Sequence, residues 1–153
     1  MSDLKNLLEP ISAFVPELDL SDAGPAEAAL NERFPPGSDE IGTIRSAAFA
    51  ALAAGEIAER GEPGMKWGRL AKPEDTTGGS SIDVVYMSDS SGPAHTHTKG
   101  EVCLCFGESE SATFENRGDT WIVMPAGSRH EPTVRGGSML ILYWLPEGAV
   151  KWG

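Results

Sequence analysis

Cysteine is scarce in this chain of 153 residues, where Cys103 and Cys105 are the only two. Two residues at positions i and i+2 of one predicted strand are poorly placed to bridge each other, which argues against a disulfide framework. We therefore expect a reducing compartment, the cytoplasm, and we interpret both thiols first as small residues that fill a core.

Basic residues are also few, and long apolar runs are missing. The 12 Lys and Arg stand against 23 Asp and Glu, which gives a formal net charge of −11. This charge repels phosphate backbones and anionic lipids, so we expect no nucleic-acid partner. No apolar run approaches the roughly 20 residues of a membrane-spanning helix, and the first residues do not resemble a secretion signal, so we expect no membrane partner.

The chain divides by pattern into a helical first part and a strand-rich remainder. Residues 1–64 predict helices, with Pro25 at the first position of one helix, Ser38 as the N-cap of the next and Gly61 as its end. Residues 65–153 contain short β-type runs separated by turn residues, which predict an antiparallel sandwich or barrel. We expect the two parts to form one mainly β domain with the helices packed outside.

The last long run of that remainder, residues 139–145 (MLILYWL), is apolar at both alternating sets of positions. A strand with one face in water would alternate between apolar and polar residues, so both faces of this strand should be covered. One face would meet the barrel interior, and the other would meet either the N-terminal helices or a second subunit. We therefore predict a homodimer.

Histidine is the residue whose scarcity is most informative, because the chain contains only three. His95 and His97 form a His-x-His-x-x-x-Glu pattern with Glu101, and an extended chain places both imidazoles on one face. Glu101 shares their parity, and His130 ends a second turn-rich segment. The pattern predicts that these four side chains surround one divalent metal ion.

These two segments resemble the two motifs of the cupins. The first runs from Gly92 through His95 and His97 to Glu101, and the second is Pro125-Ala126-Gly127-Ser128-Arg129-His130. The resemblance implies a single jelly-roll-like antiparallel β-barrel whose three histidines and one carboxylate hold Fe(II), Mn(II), Ni(II), Zn(II) or Cu(II). We favour iron or manganese. Cys103 and Cys105 continue the parity of Glu101, and thiolate contact with the ion would instead favour zinc or copper.

A closer resemblance covers most of the chain and points to the small 4-hydroxylaminobenzoate lyase family. It rests on residues 34–36 (FPP), 82–85 (IDVV), 92–95 (GPAH), 127–134 (GSRHEPTV) and 142–149 (LYWLPEGA). The resemblance implies that the protein converts 4-hydroxylaminobenzoate and water into 3,4-dihydroxybenzoate and ammonia. Glu101 would then serve either as a metal ligand or as a proton carrier.

A benzoate substrate needs a cation for its carboxylate and apolar surface for its ring. Arg129 is the leading candidate for the carboxylate and for a catalytic role, because a planar guanidinium can pair both oxygens of the carboxylate. The further candidates for substrate contact are Arg69, Lys66, Arg135, Trp121, Cys103 and Cys105. Trp67 and Trp144 could also stack on an aromatic ring, although a tryptophan on a strand is more often part of the core.

Three classes of function stay open from the sequence. The first is the lyase or a close relative that acts on an aromatic amine derivative. The second is a cupin dioxygenase that cleaves a catechol-like or thiol substrate, which oxygen consumption with Fe(II) would distinguish. The third is a cupin without enzymatic activity that binds a small molecule or a metal ion.

Overall fold

Three helices precede the sheets in the computed structural model, which describes residues 2–153 and leaves out Met1. They are α1 (Ser2–Phe14), α2 (Ala23–Arg33) and α3 (Asp39–Ala53), and a short 3₁₀ helix follows α1 at Val15–Glu17. The helix α2 begins two residues before Pro25, which therefore occupies the third helical position rather than the predicted first. None of the described helices has the length and apolar character needed to cross a bilayer.

The helix α3 begins where its sequence predicts and ends earlier. The Ser38 hydroxyl oxygen accepts a hydrogen bond from the Ile41 backbone N–H at 3.3 Å, which is the expected N-cap. The helix stops at Ala53 and not at Gly61, because Gly55, which follows the C-cap residue Ala54, takes a left-handed backbone with φ of 72°. Ile57 is buried although it lies beyond the helix, so the apolar pattern continues after the helical backbone has ended.

The strands form two antiparallel sheets, as the short runs predicted. Their bounds are β1 (Arg60–Glu62), β2 (Met65–Ala71), β3 (Ser80–Ser91), β4 (His95–His97), β5 (Glu101–Gly107), β6 (Thr113–Phe114), β7 (Thr120–Met124), β8 (Ser128–His130), β9 (Thr133–Pro146) and β10 (Lys151–Trp152). The large sheet has the order β1-β2-β3-β9-β5-β7, with β6 also paired to β9. The small sheet has the order β10-β4-β8. The predicted mainly β fold with N-terminal helices is confirmed.

Two details of the strand prediction differ from the structure. The sheet already begins at β1, before residue 65, where the strand-rich part was expected to start. The apolar run predicted at residues 139–145 is part of a longer strand, β9 (Thr133–Pro146), because its pairing with β3 continues across an irregularity near Asp89. A glycine pair inside β9, Gly136 and Gly137, therefore does not end the strand.

The outer face of the large sheet packs on the helices. Leu140, Leu142 and Trp144 of β9 belong to one core with the apolar residues of α1, α2 and α3. The buried Trp144 indole N–H donates to the Ser12 hydroxyl at 3.0 Å, and the Trp121 indole N–H donates to the Phe34 carbonyl at 2.8 Å. These bonds satisfy the polar atom of each buried indole.

This packing accounts for both faces of β9 within one chain. Its other face carries Met139, Ile141 and Tyr143, which contribute to a second core with Cys103 and Cys105. The N-terminal helices thus cover the surface for which a second subunit was one of the two predicted partners. A homodimer stays a prediction, and it would have to use a different surface.

The inner face of the large sheet is turned toward the small sheet. The Glu101 carboxylate, on the inner face of β5, lies within 3.1 Å of a His97 ring nitrogen on β4. The Phe114 ring lies 6.5 Å from the His130 ring on β8. The three short strands of the small sheet therefore close one side of the space in which the candidate site lies.

Candidate metal centre

The small sheet brings the three histidines of the chain together. In its register His95 of β4 pairs with His130 of β8, and His97 pairs with Ser128. Directly opposed residues of antiparallel strands project to the same face, and so do residues two apart on one strand. All three imidazoles therefore share one face of the small sheet, which is the convergence that the His-x-His spacing predicts.

The three imidazoles are close enough to bind one ion. One ring nitrogen from each of them lies within 4.8 Å of the others. The ring centroids are 4.5 Å apart for His95 and His97, and 4.9 Å apart for each of the other two pairs. His97 is fully buried, whereas the His130 side chain keeps 15% of its surface exposed. Solvent therefore reaches the cluster from the side of His130.

The contact between two ring nitrogens suits an ion. The Nε2 atoms of His97 and His130 are 2.9 Å apart, so one must carry a proton to avoid repulsion between two lone pairs. Burial, followed by the charges of His95 and His130, lowers the pKa of His97 to about 3. The pKa of His130 is also lowered, mainly by burial. Neutral imidazoles in a buried cluster are the donor set that Zn(II), Fe(II), Mn(II) or Ni(II) requires.

Glu101 lies beside this cluster but on its far side. Its Oε2 is 3.1 Å from Nδ1 of His97, which is the ring nitrogen that points away from His130. The turn at Gly100 sets this position, because Gly100 has φ of 89° and an added Cβ would lie 2.8 Å from the Leu20 Cβ. Glu101 was predicted as the fourth ligand. In this arrangement its carboxylate instead faces Nδ1 of His97, on the side of that ring opposite to the other imidazoles.

The environment of Glu101 keeps its carboxyl group protonated. Burial raises the pKa of Glu101 to about 8, although a hydrogen bond from the Cys103 thiol at 2.7 Å opposes the increase. The Cys103 sulfur thus contacts the carboxylate, and the cluster of possible ligand atoms contains only the imidazoles among the described residues. Burial also raises the pKa of both thiols well above the ordinary value. Neither cysteine is placed as a thiolate ligand.

The other ring nitrogens have neighbours that can orient the imidazoles. Nδ1 of His95 lies 3.0 Å from the carbonyl oxygen of Pro93. Nδ1 of His130 lies 3.6 Å from Oε1 of Glu115, which accepts a hydrogen bond from the Thr133 backbone N–H at 2.9 Å. A histidine that binds a metal usually donates its second N–H to such an oxygen. Glu115 could not be predicted from the sequence, because it follows the two-residue strand β6 and belongs to no motif.

The predicted cationic residues separate into two groups. Arg129 pairs with Thr96, so it lies on the face of the small sheet opposite to the imidazoles. It donates from Nε to the Gly153 carbonyl at 3.2 Å. Lys66 and Arg135 are exposed, and neither belongs to the inner face, since Lys66 pairs with Tyr86 of the helix-covered face and Arg135 alternates along β9 with the inner-core Val134. The expectation that Arg129 binds a carboxylate at the imidazoles therefore disagrees with this geometry.

Arg69 is the predicted cation that does lie on the inner face. It donates to both carboxylate oxygens of Asp83, at 2.7 Å from Nε and 3.2 Å from Nη2. Asp83 pairs with Tyr143, and Tyr143 pairs with Cys103, so one row of polar side chains crosses the inner face toward Glu101. No described residue accepts a hydrogen bond from Nη1 of Arg69, and the side chain is 43% exposed.

The tryptophans differ in what they can contact. Trp121 and Trp144 are completely buried among the helices, so neither can stack on a substrate ring. Trp67 is half exposed, and the Arg60 guanidinium lies over its ring, with Cζ of Arg60 5.5 Å from the Trp67 ring centroid. Trp152, which the sequence did not single out, packs its ring 5.1 Å from that of His95.

Comparison with known proteins decides the family. The family model described as 4-hydroxylaminobenzoate lyase matches residues 8–152. The chain belongs to the 4-hydroxylaminobenzoate lyase family. A relative named 4-hydroxylaminobenzoate lyase from Nocardioides sp. (strain LMS-CY) is 29% identical over 162 residues, which cover 99% of this chain and 96% of the relative. A second protein of that name, from Pseudomonas putida, is 27% identical, and the match covers 82% of this chain and 81% of the relative.

Solved structures with partial likeness to this family member include cupins. An RmlC-like cupin protein from Ralstonia eutropha JMP134 has a TM-score of 0.44 at 14% identity, and the match covers 60% of each chain. Salicylate 1,2-dioxygenase from Pseudaminobacter salicylatoxidans has a TM-score of 0.43 at 11% identity, and the match covers 70% of this chain and 35% of the dioxygenase chain.

Proposed function

We propose that this member of the 4-hydroxylaminobenzoate lyase family is a metal-dependent lyase that converts a 4-hydroxylaminobenzoate-like compound and water into 3,4-dihydroxybenzoate and ammonia. The observation that carries the proposal is the convergence of His95, His97 and His130 within 4.8 Å, in a chain whose relatives carry the name of this activity. A divalent ion held there would act as a Lewis acid on the hydroxylamino oxygen.

In this proposal, Glu101 is the carboxylate that transfers the proton required for cleavage of the N–O bond. An oxygen leaves nitrogen more easily when it carries a proton, and a carboxylate whose pKa without metal is raised to about 8 can take a proton from the incoming water and pass it to that oxygen. The position of its Oε2 at Nδ1 of His97 favours this role over that of a fourth ligand. The carboxylate left behind could then accept a proton when the ring becomes aromatic again.

Arg69 is the residue that we propose for the substrate carboxylate. Its Nη1 has no acceptor among the described residues, and its bidentate pairing with Asp83 fixes the guanidinium plane. Removing a charged hydrogen bond costs about 1.5 to 3 kcal/mol, so Arg69→Ala should raise KM about 10-fold or more. Arg69→Lys keeps the charge but loses the planar guanidinium, and its KM should lie between those of the unchanged protein and Arg69→Ala.

The test is a reaction assay on protein reconstituted with Fe(II), Mn(II) and Zn(II) in turn. We expect release of ammonia and 3,4-dihydroxybenzoate from 4-hydroxylaminobenzoate without oxygen uptake, because the overall reaction only adds water. His130→Ala should abolish turnover, and Ser46→Ala on the exposed side of α3 should preserve it. An unchanged substrate with all three metals would disprove the lyase assignment.

Two other outcomes would reassign the function. Stoichiometric oxygen uptake with ring-cleaved products would identify a dioxygenase that uses the same imidazoles. Saturable binding of the aromatic compound without turnover would identify a binding protein. The homodimer and the cytoplasmic location expected from the sequence stay predictions, and sedimentation of the metal-loaded protein would test the first.

A further inference from the structure

Trp152 is the most exposed large apolar side chain that the structure describes. Its side chain keeps 65% of its surface in solvent, whereas Trp121 and Trp144 keep none. An indole in water leaves a large apolar surface uncovered, which is unfavourable unless something packs on it. The position of Trp152 in the small sheet indicates which kind of molecule would cover this indole.

The register of the small sheet places Trp152 next to the imidazole cluster. Trp152 pairs with His95 across β10 and β4, and His95 pairs with His130 across β4 and β8. The three rings therefore form one row on one face of the sheet. The Trp152 ring lies 5.1 Å from the His95 ring at an angle of 60°. His95 stands in the middle of this row, so a flat molecule bound at the cluster beside His95 would lie against the indole.

The strand that carries Trp152 is fixed on both sides. The Gly153 backbone N–H donates to the Ala94 carbonyl at 3.0 Å, beside the β4 pairing. The Gly153 carbonyl accepts the bond from Nε of Arg129 on β8. Arg129 thus holds the strand of Trp152 from the face opposite to the imidazoles.

We infer that Trp152 forms an aromatic wall of the substrate site, on which the ring of the benzoate substrate stacks, and that Arg129 is a positioning residue for this wall. The inference rests on the proposed function for the class of substrate. Aromatic pairs prefer offset or edge-to-face contact, and an indole beside the cluster offers such a surface to a flat ring. An aliphatic ring of similar size would gain less from the same wall.

The experiment compares two ligands that lack an N–O bond and so cannot undergo the lyase reaction. They are 4-aminobenzoate and its saturated counterpart trans-4-aminocyclohexanecarboxylate, each titrated calorimetrically into Zn(II)-loaded protein. For Trp152→Ala we expect Kd for 4-aminobenzoate to rise about 3- to 10-fold, which is the range that a lost aromatic pair predicts. Trp152→Phe should recover most of the affinity. Ser46→Ala, on the exposed side of α3, should leave the affinity unchanged.

Arg129→Ala separates positioning from direct contact with the carboxylate. If Arg129 acts through Trp152, Arg129→Ala should weaken the binding of 4-aminobenzoate and leave the binding of the saturated carboxylate nearly unchanged. Equal weakening of both ligands would instead make Arg129 a carboxylate-binding residue and overturn the positioning role. The Zn(II) affinity of both variants should match that of the unchanged protein, because neither side chain is a ligand.

Several outcomes overturn the aromatic wall. Equal affinity of Trp152→Ala and unchanged protein for 4-aminobenzoate would disprove it, even if lyase turnover is observed and the proposed function stands. An equal loss of affinity of Trp152→Ala for both ligands would indicate a merely structural effect of the substitution. A shift of Trp152→Ala from dimer to monomer in sedimentation would make the indole a subunit contact. If the unchanged protein binds neither ligand, the proposed substrate class fails and the wall fails with it.

Discussion

Replacing Glu101 with glutamine should remove most of the proton release that accompanies Zn(II) binding at neutral pH. The Glu101 carboxyl is buried, and its pKa of about 8 keeps it roughly nine-tenths protonated at pH 7 in the protein without an ion. A divalent cation at the imidazoles favours the ionised form of a carboxyl group this close. Binding should therefore release about 0.9 proton from Glu101 at pH 7, about 0.5 at pH 8 and about 0.1 at pH 9.

The assay is calorimetric titration of Zn(II) in two buffers of different ionisation enthalpy, because the difference in observed heat counts the protons. His97 adds nothing at these pH values, since its pKa of about 3 leaves it neutral before the ion arrives. The comparison with Glu101→Gln isolates the carboxyl group from any other proton. A difference near zero at pH 7 between Glu101→Gln and the unchanged protein would contradict this expectation, because the carboxyl group would then be ionised without metal or protonated with it.

The same group gives the protein without metal a pH-dependent stability. Since the pKa of Glu101 in the folded state exceeds its ordinary 4.5, the folded chain keeps a proton that the unfolded chain has lost. The free energy of unfolding should therefore fall as pH rises from about 4.5 to about 8. The lowered pKa of His97 acts in the opposite direction between about 3 and 6.5, so the decrease should be clearest above pH 6.5. Chemical denaturation at several pH values measures it, and the decrease should be absent in Glu101→Gln.

Three further changes test parts of the molecule separately. Glu115→Ala should weaken Zn(II) binding about 10- to 100-fold in a competition titration, because it removes the oxygen nearest to the second nitrogen of His130, and an unaltered affinity would contradict that role. Ser38→Ala should lower the free energy of unfolding by about 1 kcal/mol, measured in urea against the exposed control Ser46→Ala. Leu142→Ala should cost about 2 to 5 kcal/mol in the same measurement, because it opens a cavity between the large sheet and the helices, and a loss below 1 kcal/mol would contradict the described packing.

The sequence predicted the parts of the fold and site that depend on local signals. Ser38 begins a helix because its hydroxyl caps it, and this needs only residues three positions apart. His95 and His97 share a face because alternation along a strand dictates it. The long apolar run of β9 indicated that both faces are covered, and the structure identifies the helices as one cover.

The parts that the sequence did not predict depend on strand pairing between distant residues. Arg129 was expected at the site because it precedes His130, yet adjacent residues of a strand point to opposite faces, and β8 is too short to show its own alternation. Trp152 reaches His95 through a two-residue strand whose partner lies far along the chain. Glu115 approaches His130 in the same non-local way. No local pattern encodes these contacts.

The core between the helices and the outer face of the large sheet joins the two extremes of the chain, and this has a consequence for synthesis. The helices α1, α2 and α3 leave the ribosome first, but they pack on Leu140, Leu142 and Trp144, which are made almost last. Until then their apolar stripes have no complete partner surface, and contacts of such sequence separation form slowly. Nascent chains that stop before β9 should therefore be bound by chaperones that hold exposed apolar helices, and they should be released once β9 pairs with β3 and β5.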